Sequence, residues 1–193
     1  MSKKFILCIL FISIFIPMIF AGPFGYDEGM SFEEVEFNSN EIIDSYIDKN
    51  ISFLQVEPKK KHSDFENYYV VIDEDYGLVK IMAETIVETN KYGTTLKNKF
   101  NSLVESLSTK YGEIDKIDIL MPSSIWDEAG DYMMSLVAED RFLMGMWETD
   151  LNTIVAIQVS ASSTSKGIIT LSYEYEKFAK ALEKKSKVEN SYL

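Results

Sequence analysis

Cysteine, histidine and arginine each occur once in these 193 residues, as Cys8, His62 and Arg141. One thiol and one imidazole cannot assemble the four-ligand set of a zinc site, and a single guanidinium leaves little for bidentate clamping of phosphate or carboxylate groups. Also missing is an apolar run of the roughly 20 residues that a membrane-crossing helix needs. The longest greasy stretch, Phe5 to Ile16, stops at Pro17.

That stretch follows Lys3 and Lys4 and precedes Ala21. A basic start, a short apolar core and a small residue before the cut make up a secretory signal. Residues 1–21 are therefore expected to be removed after Ala21, leaving a chain with no membrane span in the periplasm or outside the cell. Cys8 leaves with them. Residues 22–193 then hold no thiol, which excludes disulfides, thiolate metal ligands and a cysteine nucleophile.

Charge of one sign is scarce as well. Residues 22–193 carry 17 basic and 31 acidic side chains, a net charge of −14. Nucleic acids and anionic lipids are bound through Lys and Arg, so neither is expected as a partner. The 172 residues suffice for one core. A single domain over 22–193 is expected, with two subdomains dividing near residue 90 as the alternative.

The pattern of apolar residues predicts the elements. Ser31 and Glu34 have capping-box spacing ahead of Val35 and start a short helix. Ile42, Ile43, Tyr46 and Ile47 recur at helical spacing over 41–49, predicting a second helical piece that runs into a strand over 51–57. Tyr68 to Ile72 and Leu78 to Val87 flank an acidic glycine turn, as in a β-hairpin. Leu96, Phe100, Leu103, Val104, Leu107 and Tyr111 mark the clearest helix, capped by Thr94 or Thr95 and ended by Gly112. A strand over 114–120, a broken helix over 124–137 and a three-stranded meander over 141–148, 153–160 and 167–175 come next. The chain closes with an amphipathic helix over 176–187, laced by the pairs Glu176/Lys180 and Glu183/Lys187. Together these predict an α+β fold, an antiparallel sheet with helices packed mainly on one face, with two similar αβ units as a variant.

No residue set demands a particular chemistry. Ser163 and Lys166 have the Ser-x-x-Lys spacing of penicillin-binding enzymes, but in a serine-rich connection between strands, where a solvated turn is expected. Asp73, Asp75 and Glu84 match three positions of a calcium loop, yet Leu78 stands where that loop needs glycine. His62 is expected in a solvated loop. Carboxylate pairs such as Glu33/Glu34, Asp127/Glu128 and Glu139/Asp140 are too common in an acidic chain to single out. No catalytic residue, metal ligand or cofactor is expected. The aromatic residues are more suggestive, because Trp126, Trp147, Tyr173 and Tyr175 suit either a crowded core or a recognition surface.

Gly22-Pro23-Phe24-Gly25 with Gly29-Met30-Ser31 and Glu34-Val35 resembles the start of a group of small exported bacterial proteins without an assigned function. Asp64-Phe65-Glu66 with Tyr68, Gly77-Leu78 with Lys80-Ile81, Tyr92-Gly93-Thr94 and Ser124-Ile125-Trp126 extend that resemblance along the chain. The 29–35 motif is also similar to the first helix of BamE-like outer-membrane assembly lipoproteins and of β-lactamase-inhibitor-protein-like domains. Those resemblances imply helices packed on an antiparallel sheet and binding to other proteins. The lipid-bearing cysteine of the BamE pattern has no counterpart at the mature end. The expectation is a non-enzymatic, envelope-associated protein that binds a protein partner through a sheet face bearing Trp147 and Tyr173. A hydrolase using two carboxylates across a cleft is the alternative.

Overall fold

The computed structural model describes residues 22–190, with side chains described as far as Lys187. The expected signal segment and Cys8 lie outside the described residues. The capping box forms as its spacing requires. Ser31 Oγ accepts from the Glu34 backbone N–H at 3.3 Å, and Glu34 Oε2 accepts from the Ser31 N–H at 2.8 Å. Helix α1, Phe32–Asn38, starts there and passes directly into strand β1, Ser39–Asp48.

Strands β2 (Ile51–Pro58), β3 (Asn67–Asp73) and β4 (Gly77–Glu88) continue an antiparallel meander. Helix α2, Thr94–Tyr111, crosses to strand β5, Asp115–Leu120, and a one-turn 3-10 helix leads into α3, Tyr132–Val137. Strands β6 (Arg141–Glu148), β7 (Ile154–Ser163) and β8 (Lys166–Glu174) and helix α4 (Glu176–Asn190) complete the chain.

All eight strands belong to one sheet, in the order β1-β2-β3-β4-β8-β7-β6-β5. This corrects the expected α+β layout of helices mainly on one face, and the variant of two αβ units with it. The fold is dominated by its sheet, β4 pairs with β8 from Lys80↔Glu174 to Glu88↔Lys166, and helices lie on both faces. On the inner face α1, α2 and α3 bury Val35, Leu96, Phe100, Leu103, Met133 and Leu136 against Leu54, Val70, Ile81, Ile157, Ile169 and Leu171. On the outer face α4 sets Phe178 and Ala181 against Ile51, Val71 and Val79, and Lys184 and Lys185 pair with Asp75 and Asp48.

Two local expectations are corrected too. Residues 41–49 form a strand, because β1 gains a ladder of hydrogen bonds to β2 that an isolated short helix could not match. Helix α2 is capped by neither Thr94 nor Thr95. Gly93 occupies the cap position at φ 67°, and Asn90 Oδ1 and Thr89 Oγ1 accept from the Thr94 and Thr95 N–H groups at 3.2 Å each.

Gly77 opens β4 with φ +69°, and a Cβ there would stand 2.2 Å from the Gly29 carbonyl oxygen. Both a left-handed conformation and a backbone collision oppose any side chain. Gly77→Ala is expected to lower stability by more than about 1 kcal/mol, seen as a lower urea midpoint. An unchanged midpoint would show that this turn does not press on Gly29.

Candidate functional site

Trp147 and Tyr173 lie on the inner face, where Trp147 is 3% and Tyr173 6% exposed. Strand β8 alternates as its sequence implies, with Ile169, Leu171 and Tyr173 inward and Thr170, Ser172 and Glu174 outward. Trp147 donates through Nε1 to the Gly112 carbonyl at 3.1 Å, and Tyr111 stands between the two, 6.4 Å from the Trp147 ring and 6.5 Å from that of Tyr173. Tyr175, also buried, lies just past the end of β8. Trp126 is half-exposed in the turns between β5 and α3, outside this cluster. Thus the structure brings together three of the four aromatic residues singled out by sequence and leaves the fourth apart.

Tyr173 and Tyr175 of this cluster floor a cavity of about 860 Å³. The N-terminal segment with Phe24 and Asp27, the Lys60–His62 loop, Tyr111 and the turn carrying Asp150 and Leu151 wall it in, over Val155, Tyr173 and Tyr175. Desolvation drives the Tyr173 and Tyr175 hydroxyls well above the usual phenol pKa, reinforced at Tyr173 by Tyr111 and at Tyr175 by Asp27 and Glu28. Tyr132, buried under α2, is pushed up to about 12, first by desolvation and then by Asp118. Tyr173 and Tyr175 are held neutral and, with Val155, form an uncharged floor beneath a rim that carries Lys60, Lys61, Lys110, Asp27, Glu28 and Asp150.

The other motifs fall where little chemistry is available. Ser163 to Lys166 is the β7–β8 turn, with Lys166 3.4 Å from Glu88. Asp73 is buried, taken up by Asn50 and by the N–H groups of Asp75 and Tyr76, while Glu84 lies mid-strand and accepts from Thr170. His62 is exposed at the cavity rim, where its Nδ1 accepts from the Asp64 N–H at 3.2 Å.

Sequence reasoning missed the outer face. Cross-strand register gathers its side chains into rows. One row runs Gln55, Tyr69, Met82, Ser172, Ala156, Met146 and Asp115, and the next runs Glu84, Thr170, Gln158, Met144 and Ile117. Helix α4 covers one end of this face, above Val71 and Val79. Beyond it Tyr46, Phe53, Ile86, Ile117, Ile119, Phe142, Met146 and Ile154 are all exposed, Ile119 at 55% and Phe142 at 46%. The signal for this was present in β6, where Phe142, Met144 and Met146 alternate with Leu143, Gly145 and Trp147, so that both faces are apolar.

The chain matches no protein-family model and no curated protein. Its geometry therefore carries the functional reading alone.

The raised tyrosines set an alkaline limit. A phenol titrating near 10 when unfolded and higher when folded keeps its full stabilising contribution below about pH 10 and loses it as pH rises toward the folded value. Unfolding is expected to set in above pH 10, with tyrosinate absorbance and loss of near-ultraviolet dichroism moving together. Complete titration of tyrosine with the dichroism intact would contradict the burial of Tyr132, Tyr173 and Tyr175.

Proposed function

We propose that this protein is a non-enzymatic binding module, exported to the cell envelope, that docks a partner protein on the open outer face of its sheet. The observation that carries this reading is the group of exposed apolar side chains on the β5 to β7 part of that face, Ile117, Ile119, Phe142, Met146 and Ile154, with Tyr46 and Phe53 as a second group at the β1 side beyond Gln55, Glu84, Thr170 and Ser172. Apolar side chains grouped on an open sheet face are the kind of surface on which proteins dock. Such a face excludes water on contact and contributes roughly 25 cal/mol for each Å² it buries.

The margin of this face indicates the partner's chemistry. Asp44, Asp115 and Glu148 stand at its edges on the outward-pointing positions, within a strongly acidic protein, while Glu88 there is paired with Lys166. The matching surface has an apolar centre and a basic rim, so that charge steers the encounter and apolar contact holds it.

The carboxylate hydrolase fits the geometry less well. Among the described residues the one buried carboxylate is Asp73, and its oxygens hold the β3–β4 turn together. Asp27, Glu28 and Asp150 line the cavity from its edges, Asp27 half-buried and taken up by the Gly22 N–H, Glu28 and Asp150 exposed.

Alanine at Trp147 or Tyr173 would hollow the core at a cost of about 3–5 kcal/mol, so the test belongs on the outer face. A photoactivatable residue in place of Phe142 is expected to give one discrete protein adduct in intact cells, whereas the same residue in place of Glu105, on the exposed side of α2, gives none. Adding Met146→Lys and Ile154→Lys should abolish the adduct while circular dichroism and melting temperature stay near those of the parent. Equal labelling from both positions, or none from 142, would refute the proposal, and an adduct of two copies of this chain would replace the partner by self-association.

A further inference from the structure

Residues 22–28 do not behave as a tail. Tyr26, four residues from the expected cut, is fully buried and shares a hydrogen bond of 2.7 Å with Ser39 Oγ. Phe24 takes a left-handed conformation, φ 57°, unusual for a residue other than glycine. Packing holds it there, with its ring 5.0 Å from Tyr68, 6.1 Å from Phe65 and 6.2 Å from Tyr173. The segment is a strap whose central knob fills the core beside the cavity.

The strap folds back on its own first residue. Gly25 N–H donates to the Gly22 carbonyl at 3.0 Å and Tyr26 N–H to that of Pro23 at 3.1 Å. Gly22 N itself donates to Asp27 Oδ1 at 2.6 Å, a bond whose acceptor is a carboxylate. A Cβ at position 22 would stand 1.9 Å from the Tyr26 carbonyl oxygen. Only glycine fits that place, and glycine is the residue next to Ala21 on the mature side of the expected cut.

We infer that cleavage between Ala21 and Gly22 completes the fold as well as releasing the chain, because it creates an α-ammonium group that pairs with Asp27 and fastens the strap over the aromatic cavity. The step is a peptide hydrolysis by an envelope signal peptidase. One water is consumed, a carboxylate is left on Ala21, and the new amine of Gly22 takes up a proton at neutral pH, since an α-amino group titrates near 7.7–8.0. The precursor offers Asp27 a single neutral amide N–H at this point. The mature chain offers a charge and three donors. This inference concerns the strap alone and stands or falls independently of what docks on the outer face.

The exported protein, isolated from the producing cells, should have the intact mass and N-terminal sequence of a chain starting at Gly22. In that protein, acetylation of the α-amine should lower the melting temperature by about 2–4 °C. Asp27→Asn should cost a similar amount when the amine is free and clearly less when it is acetylated. The free amine should also react more slowly with an acylating reagent than it does in D27N. A chain that starts elsewhere, an equal effect of D27N in both backgrounds, or equal acylation rates would each overturn the inference.

Discussion

The pairing of β4 with β8 holds the architecture together. Two antiparallel meanders, one from each half of the sequence, become a single sheet only because Lys80 to Glu88 lies against Lys166 to Glu174. The contact is non-local, bringing together residues far apart in the chain, and its loop-closure entropy is offset only when the facing side chains are buried. Helix α2 supplies that burial. It lies over the seam, and Leu96 occupies the space left by the missing side chain of Gly167, where a Cβ would come within 2.3 Å of Leu96 Cδ2. Helix, seam and core are therefore one cooperative unit.

With three helices on the inner face and one amphipathic helix at an end of the other, the sheet is covered asymmetrically. Large aromatic residues fill the covered side, where Trp147 donates to the Gly112 carbonyl and Tyr173 meets Tyr111. On the open side Tyr46, Phe53 and Phe142 stand among medium-sized aliphatic and thioether side chains. Such residues are adaptable in contact, methionine above all, which suits a surface that must fit something other than itself.

Much of the strand pattern was legible in the sequence. Strand β6 has the bounds its alternation indicates, and the capping box of α1 and the β3–β4 hairpin arise from local rules. The failures have identifiable causes. In β1, Ile42 and Tyr46 are a helical turn apart, yet in the strand they point to opposite faces, Ile42 toward the core and Tyr46 beside Phe53. An edge strand with most side chains in water lacks the alternation that would have marked it. The open face was hidden for another reason: Phe142, Met144 and Met146 are about as apolar as the residues between them, and which set meets water is decided by where α2 lies. No pattern within β6 records that. The sequence also draws attention to tryptophan and tyrosine, the residue types most enriched at recognition surfaces, although here their volume serves the interior.

A sheet with a bare apolar face and two free borders is a template on which further copies could stack and extend. The borders themselves guard against that. The β1 margin loses step with its neighbour between Ser39 and Glu41 and again between Ile42 and Asp44, twisting its unpaired amides away from a straight ladder. The β5 margin is six residues long and studded with Asp115, Lys116 and Asp118. Lateral growth is thus opposed at both borders while the broad face stays available, so contact through this sheet is steered from edge to face.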